Sequence, residues 1–395
     1  MSAVCLYLHM HQPYRVKRYD AFSVGNDAEY FNGNDEDDLN NRRVLRKVAQ
    51  KSYLPTLDLL LALVQTCPDF KVALSITGTL IDQLSEDAPE VIQKLQALSA
   101  TGKVEFIGET YHHSLAFFYD LEEFEEQVRL HRERIATLFH AYPRVFRNTE
   151  LAYHDALGVW ASTQGYDGVL TEGWDPVLNG RSPDSVYSVP EAPRTKLLLK
   201  NYKLSDDVAF RFGEQGWEGW PLTSDKFASW IEAKNGSAEV VNLFMDFETF
   251  GEHQWEATGI FDFLEGMVPA LLASKDISFV TPSEALSRFP AREPLSMREV
   301  VTWADTDRDL TAWVGNDLQR HALEKLYALK PHVYKQGGEA LTTWRKLQTS
   351  DHFYYMCTKW SSDGDVHAYF SPYKTPHEAH TSFMHALQDF TLRLT

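Results

Sequence analysis

The stretch Ala238–Trp255, AEVVNLFMDFETFGEHQW, joins an apolar run to a cluster of groups that can carry protons. Val240 to Met245 is an almost unbroken run of β-branched and large residues, the pattern of a strand buried on both faces of a parallel sheet. It runs straight into Asp246, Glu248, Glu252 and His253, with Gly251 to let the chain turn. Phe247, Phe250 and Trp255 interleave with these acids, and a solvated acidic turn has no use for them. Acids for proton transfer beside aromatic faces for stacking suit a sugar-binding site. Three further strand ends carry polar groups: His9 and His11, then Glu109 with His112 and His113, then Glu150. In extended chain His9 and His11 project to the same side, because side chains alternate. A single histidine at a strand end is ordinarily a satisfied structural group, and Glu150 alone could cap the next helix. Together they carry more weight, since each sits at the same end of its strand.

The elements that must position these groups alternate regularly. Ala3–Leu8, Lys71–Ile76, Val104–Ile107, Val145–Arg147 and Gly168–Leu170 read as strands. Between them, Val44–Cys67 (broken or kinked at Pro55), Pro89–Ala100, Leu121–Phe139 and Asp155–Gln164 read as helices. Repeated βα units predict an α/β fold whose parallel strands converge their loops on one face, as in a barrel. Residues 179–212 give no ordered pattern. Ser224–Lys234 reads as helix, Ile277–Val280 as a last strand and Pro282–Arg288 as a helical turn. Pro290 and Pro294 then mark a boundary, giving a catalytic domain over 1–290 and a helical domain over 291–395. Helices are expected at Asp317–Ala328, Gly338–Leu347 and Pro376–Leu394. Trp313 and Asp351 each interrupt this helical sequence within a short aromatic and polar cluster, TAWVGN and TSDHFYYM, and are expected to complete the cleft. A core tryptophan and a helix-capping aspartate are the plain alternatives.

The net charge of −18 argues against nucleic acid or an anionic membrane as partner, since both demand basic surface. Cys5, Cys67 and Cys357 are odd in number and lack metal spacing, which fits a reducing compartment. Ala3–Leu8 is too short for the apolar core of a signal peptide, and no apolar run approaches a membrane span, so a cytoplasmic protein is expected. Asp35, Asp37 and Asp38 lack the remaining spacing of an EF-hand. No cofactor or resident metal is expected, and the sequence leaves the oligomeric state open.

Two carboxylates across the mouth of a barrel suit glycoside hydrolysis, one as nucleophile or base and the other as acid. At these residues the chain resembles glycoside hydrolase family 57, the retaining α-glucan enzymes, and within it the α-amylase-like branch. His11-Gln12-Pro13 is similar to the family's first region and Gly108-Glu109-Thr110-Tyr111-His112-His113 to its second. Asn148-Thr149-Glu150 falls where the family carries its nucleophile, and Met245 to His253 where it carries its acid/base. Ser350-Asp351-His352-Phe353-Tyr354 is placed at the looser fifth region. The resemblance implies an incomplete (β/α)7 TIM-like barrel followed by a C-terminal helical bundle. It implies Glu150 as nucleophile and Asp246 as acid/base, acting on an α-glucan or maltooligosaccharide. His9, His11, Glu109, His113, Glu248, His253, Trp313 and Asp351 would then bind substrate. One departure is Phe146-Arg147-Asn148, where many members have Trp shortly before the nucleophile. Met245 and Phe247 flank Asp246 and disfavour its charged form, which suits a proton donor, whereas Asn148, Thr149 and Tyr153 can stabilise an ionised Glu150. Two competing readings stand. One is a metal-dependent hydrolase, such as a polysaccharide deacetylase or α-mannosidase, with His9, His11, His113 and Asp246 around zinc. The other is a catalytically idle glucan-binding homologue, against which the retained carboxylate pair speaks.

Overall fold

The computed structural model describes residues 2–33, 38–361, 364–365 and 370–394, so Asp35 and Asp37 lie outside the described residues. Strand β1, Ser2–Met10, is buried along its whole length and has parallel neighbours on both sides. On one side lies β2, Val72–Ile76, and beyond it β3, Val104–Phe106. Next come β4, Val145–Arg147, and β5, Gly168–Glu172, paired in parallel. The unpatterned stretch 179–212 resolves into β6, Tyr187–Val189, antiparallel to β7, Ala192–Lys200, which in turn pairs in parallel with β5. On the other side of β1 runs β8, Val240–Asp246, in a register that sets Ala3 opposite Val240 and His9 opposite Asp246. A short β9, Ile277–Phe279, flanks the first residues of β1.

Two seams join the sheet halves. Gly108 donates its N–H to the Val145 carbonyl at 2.9 Å and accepts from the Arg147 N–H at 2.8 Å, linking β3 to β4. Asn201 N–H meets the Asn242 carbonyl, and the buried Asn242 amide donates to the Leu199 carbonyl, each at 2.9 Å, linking β7 to β8. A polar side chain in the middle of an apolar strand is tolerated here because it ties the seam. The parallel strands β1-β2-β3-β4-β5-β7-β8 thus run round an incomplete (β/α)7 barrel with helices outside. No helix among the described residues is long and apolar enough to cross a membrane.

The expected helix over Val44–Cys67 is two helices, Asn41–Val48 and Leu54–Thr66, joined by a π-helical turn at Ala49–Tyr53. Pro55 cannot donate a backbone hydrogen bond, and sitting in the first turn of the second helix it needs none. Helices at Gly78–Asp87 and Ile260–Leu272 escaped the sequence reading, the second because Pro269 lies inside it. After Pro294 the chain forms helices including Asp317–Ala328, Gly338–Leu347 and Pro376–Arg393. Their core, with Trp313, Trp344, Leu323 and Phe383, also takes in Val16, Tyr19 and Tyr30 from the loop after β1. The π-helical turn leaves no slack at the acidic loop. Gly251 has φ +106°, and a Cβ there would stand 2.0 Å from the Lys51 carbonyl oxygen. Gly251→Ala should therefore lower the thermal midpoint sharply, by a cost of about 2–4 kcal/mol from backbone strain plus the clash, with activity lost in the same variant. A midpoint within a degree or two of the parent would show that the two loops are not in contact.

Candidate active site

Each predicted strand end delivers polar groups to one neighbourhood, although His112 is buried apart from it with its Nδ1 3.3 Å from the Thr79 hydroxyl. Glu109, just past β3, is fully buried, yet three cationic or potentially cationic groups converge on it. His9 Nε2 donates to Glu109 Oε2 at 3.1 Å, Arg147 Nη1 at 3.5 Å, and His113 Nδ1 lies 3.9 Å away. Burial opposes the charge of Glu109, but these neighbours overcome it and hold the carboxyl well below its ordinary range. Glu109 was expected to grip substrate hydroxyls. Its burial makes it a hub behind the surface instead, acting through the histidines it orients.

From that hub two arms reach the cleft. His113 donates through Nε2 to Glu150 Oε1 at 3.0 Å, and His9 Nδ1 lies 3.6 Å from Asp246 Oδ1. The side chains of Glu150 and Asp246 are 17% and 36% exposed, so both carboxylates face accessible space while their partners do not. Glu150 is held at its second oxygen too: the Trp303 indole N–H donates to Oε2 at 2.7 Å, and Ser350 Oγ lies 3.3 Å from Oε1. The backbone at Glu150 is left-handed, φ 59° and ψ 25°, with Leu151 following at φ 52°. Non-glycine residues rarely adopt this conformation, and it persists where surrounding contacts over-determine it. Here the Trp303 N–H binds the Glu150 carbonyl at 3.2 Å, and Thr110 and Thr149 hydroxyls meet at 2.9 Å.

Electrostatics separate the groups by role. Burial pulls His113 down, but its hydrogen bonds to Glu109 and Glu150 more than reverse this and raise it to about 9, so it is a cation at neutral pH. Burial would raise Glu150, yet His113 and the charge of Arg147 hold it below its ordinary value, which keeps the carboxylate ionised. His11 is lowered to about 4 by burial and the charge of His113, so it stays neutral and bridges by hydrogen bonds alone. The Thr77 hydroxyl meets its Nδ1 at 2.9 Å, and its Nε2 donates to Asp351 Oδ2 at 3.1 Å. Asp351 is held far below the usual range despite burial, chiefly by His11. The expectation that apolar neighbours disfavour the charge of Asp246 is corrected. Burial does oppose that charge, but His9, His253 and Arg147 outweigh it and lower the pKa. The carboxyl that the site keeps protonated is Glu248, raised to about 8 by burial and by the charge of Asp246 beside it. Tyr53 hydroxyl and the His11 N–H both donate to its Oε1.

The remaining expected residues divide. Asp351 and Ser350 arrive from the helical region because the Ser350 N–H binds the His113 carbonyl at 2.8 Å. His253 lies within reach of the charge of Asp246, its ring centroid 5.5 Å from that of Phe370. Glu252 turns away to Lys47 at 2.8 Å. Trp313 is 1% exposed in the helical core, tilted against Tyr354, rather than on the carboxylates. The tryptophan on Glu150 is Trp303, which the sequence reading passed over. Its signal was Val300-Val301-Thr302-Trp303, a short β-type run just past the proline boundary. Arg147 was also missed as a functional group, although an arginine closing a buried strand had to find a carboxylate. Ligand atoms of His9, Glu109 and His113, and of His11, His113 and Asp351, lie within 4.8 Å of one another and could hold a metal ion. In both sets histidine–carboxylate contacts already occupy the donors, and neither set is the four-residue group His9, His11, His113 and Asp246 expected for zinc.

Comparison with known proteins bears on the family and the fold. Residues 5–298 match the sequence pattern of Glycosyl hydrolase family 57. A protein of Methanocaldococcus jannaschii whose name carries the words alpha-amylase is 38% identical over 96% of this chain and 82% of its own. The 4-alpha-glucanotransferase of Thermococcus litoralis superposes with a TM-score of 0.67 at 16% identity, covering 89% of this chain and 56% of that one. An alpha-amylase of Thermotoga maritima gives 0.65 at 13% identity over 100% of this chain and 94% of that one. At such identities the superpositions speak to the fold.

A carboxyl raised from 4.5 to about 8 costs the fold stability, because the unfolded chain gives up the proton more readily. The cost is absent in acid below the unfolded value, grows as pH rises above it, and is complete above the folded value. Glu248→Gln keeps an acceptor for Tyr53 and removes the cost. Thermal unfolding should show the variant more stable than the parent at about pH 7 and indistinguishable from it at about pH 4. An equal difference at both would mean that Glu248 has the same pKa folded and unfolded.

Proposed function

This chain belongs to glycosyl hydrolase family 57, and on that premise we propose that it cleaves or transfers α-glucan chains by double displacement, with Glu150 as nucleophile and Asp246 as acid/base. It is a glycoside hydrolase or transglycosylase of the α-glucan class. The observation that carries the assignment of roles is the clamp on Glu150. Each carboxylate oxygen accepts from a separate rigid N–H, His113 on one side and Trp303 on the other, so the group is ionised and aimed. Preorganised groups of this kind supply most of the help an enzyme gives to a displacement.

In the first step Asp246 gives a proton to the glycosidic oxygen, the bond from that oxygen to the anomeric carbon breaks, and Glu150 bonds to the carbon as an ester. His9, His253 and Arg147 hold Asp246 ionised, so bound substrate has to supply the shift. A sugar covering a carboxylate that is 36% exposed removes its water and raises its pKa. In the second step ionised Asp246 takes the proton of water or of a glucan hydroxyl, whose oxygen displaces Glu150. Asp351, 21% exposed and held by His11 beside the stacked His113 ring, offers an acceptor to sugar hydroxyls. Maltooligosaccharides and longer α-1,4-linked chains are the substrates this reading names. Cys5, Cys67 and Cys357, odd in number and without metal spacing, support a reducing, cytoplasmic setting.

Glu150→Gln and Asp246→Asn should each abolish turnover of a maltooligosaccharide while leaving its binding nearly unchanged, and the double variant should lose little more. Activity of either single variant within about threefold of the parent would remove that residue from the mechanism. Activity should survive exhaustive chelation, since the histidines already have protein partners. Inactivation reversed by zinc would favour the deacetylase-like reading. We further propose that the chain after about residue 291 completes the cleft, because Trp303, Ser350 and Asp351 all come from it. Truncation after Arg292 should abolish activity even where the barrel stays folded, as followed by circular dichroism, and an active truncated protein would refute it.

A further inference from the structure

Trp303 has to meet Glu150 closely although it sits in a loop, and a hydrogen bond on a nucleophile is useful only if the donor cannot wander. Two cations lie against its ring, the Arg147 guanidinium 5.1 Å and the Lys200 ammonium 5.5 Å from the centroid. Its carbonyl accepts from Arg308 Nη1 at 3.0 Å, and the Arg308 carbonyl accepts from the Thr302 N–H at 2.9 Å, closing the loop on itself. Arg308 has φ 53°, a conformation that a bulky residue holds only when something fixes it.

What fixes it is a set of four buried charges at the ends of β5 and β7. Arg308 Nη1 donates to Glu172 Oε2 at 2.6 Å and Nη2 to Asp206 Oδ2 at 3.0 Å, while Lys200 Nζ donates to Asp206 Oδ1 at 2.8 Å and lies 3.8 Å from Glu172. Glu172 is 0% exposed, Lys200 4%, and Asp206 and Arg308 8% each. Two acids and two bases balance. Taking four charges out of water is a weak way to gain stability, and an apolar plug of the same volume serves as well. What the charges add is direction, because a guanidinium fork accepts one orientation of its carboxylates. On the solvent side Lys359 Nζ lies 2.9 Å from Asp305 and 2.6 Å from Asp307, so the same loop is pinned from outside as well.

We propose that Arg308, locked by Glu172, Asp206 and Lys200, is a positioning residue that holds the Trp303 indole on Glu150. The inference rests on the reading of Glu150 as nucleophile. Glu150 otherwise faces the charges of His113, Arg147 and Asp351 and the hydroxyl of Ser350, none of which belongs to the loop. Removing the indole N–H therefore leaves those contributions in place and takes one away.

The test is the titration of Glu150 itself, followed by NMR in full-length protein carrying 13C-carboxyl glutamate and assigned by its loss in Glu150→Gln. Arg308→Met should raise the Glu150 midpoint by about one pH unit. Trp303→Phe should raise it by the same amount, and the double variant no further. With maltooligosaccharide, Arg308→Met should lower kcat roughly ten- to a hundredfold with little change in KM, and Arg308→Lys should recover part of the loss. Should Arg308→Met fail to fold, Glu172→Gln frees one of the two carboxylates that orient Arg308 and should give the same titration shift. An unchanged Glu150 midpoint in a folded variant, or shifts that add in the double variant, would overturn the proposal. Turnover by Glu150→Gln would instead sink the nucleophile assignment, while the NMR arm would still report whether Arg308 acts through Trp303 on residue 150.

Discussion

Glu109 has no access to water and keeps its charge, because His9, Arg147 and His113 meet it from three directions. The desolvation of a lone carboxylate would be prohibitive, and removing any one partner leaves the others facing an uncompensated charge. That single requirement fixes the imidazoles. His9 can satisfy Glu109 with Nε2 only by turning Nδ1 toward Asp246, and His113 places Nε2 on Glu150 while its Nδ1 edge stays toward the hub. Glu150 and Asp246 are thus aligned by a group that neither of them touches.

The same hub explains why neighbouring acids behave differently. Glu150, Asp246 and Asp351 each sit against a histidine or within reach of Arg147, and each is lowered. Glu248 lies just beyond that positive zone, with neutral donors and an anionic neighbour, and is raised to about 8. Burial acts on all four in the same direction. The difference comes from who donates the hydrogen bond and whether that donor is charged. An ionised carboxyl, Asp246, and a protonated one, Glu248, can therefore stand two residues apart in one cleft.

Much of this was legible in the chain. The buried apolar run into Asp246 announced a strand ending at a site, and the strand ends at His9, Glu109 and Glu150 do converge, because parallel strands collect their loops on one face. The register of β1 against β8, which sets His9 opposite Asp246, follows from the pattern but could not be counted from it. What sequence could not supply were contacts between distant segments. Trp303 reads as an ordinary residue of a short run, and only the fold of the 301–310 loop turns its indole to Glu150. Trp313 carries the stronger local signal and is a core residue. The direction of the Asp246 shift was misjudged for the same reason: its apolar neighbours are adjacent in sequence, while the groups that decide its charge, His9 and Arg147, come from other strands.

In the proposed mechanism Glu150 carries the glycosyl group between two displacements at one carbon. A retaining pair of carboxylates passes through two inversions, whereas an inverting pair activates water directly and inverts once. Proton NMR of the first product released from an α-linked maltooligosaccharide, read before mutarotation equilibrates it, distinguishes them. The α-anomer appearing first is the predicted result. The β-anomer appearing first would contradict double displacement and make Glu150 a base acting through water.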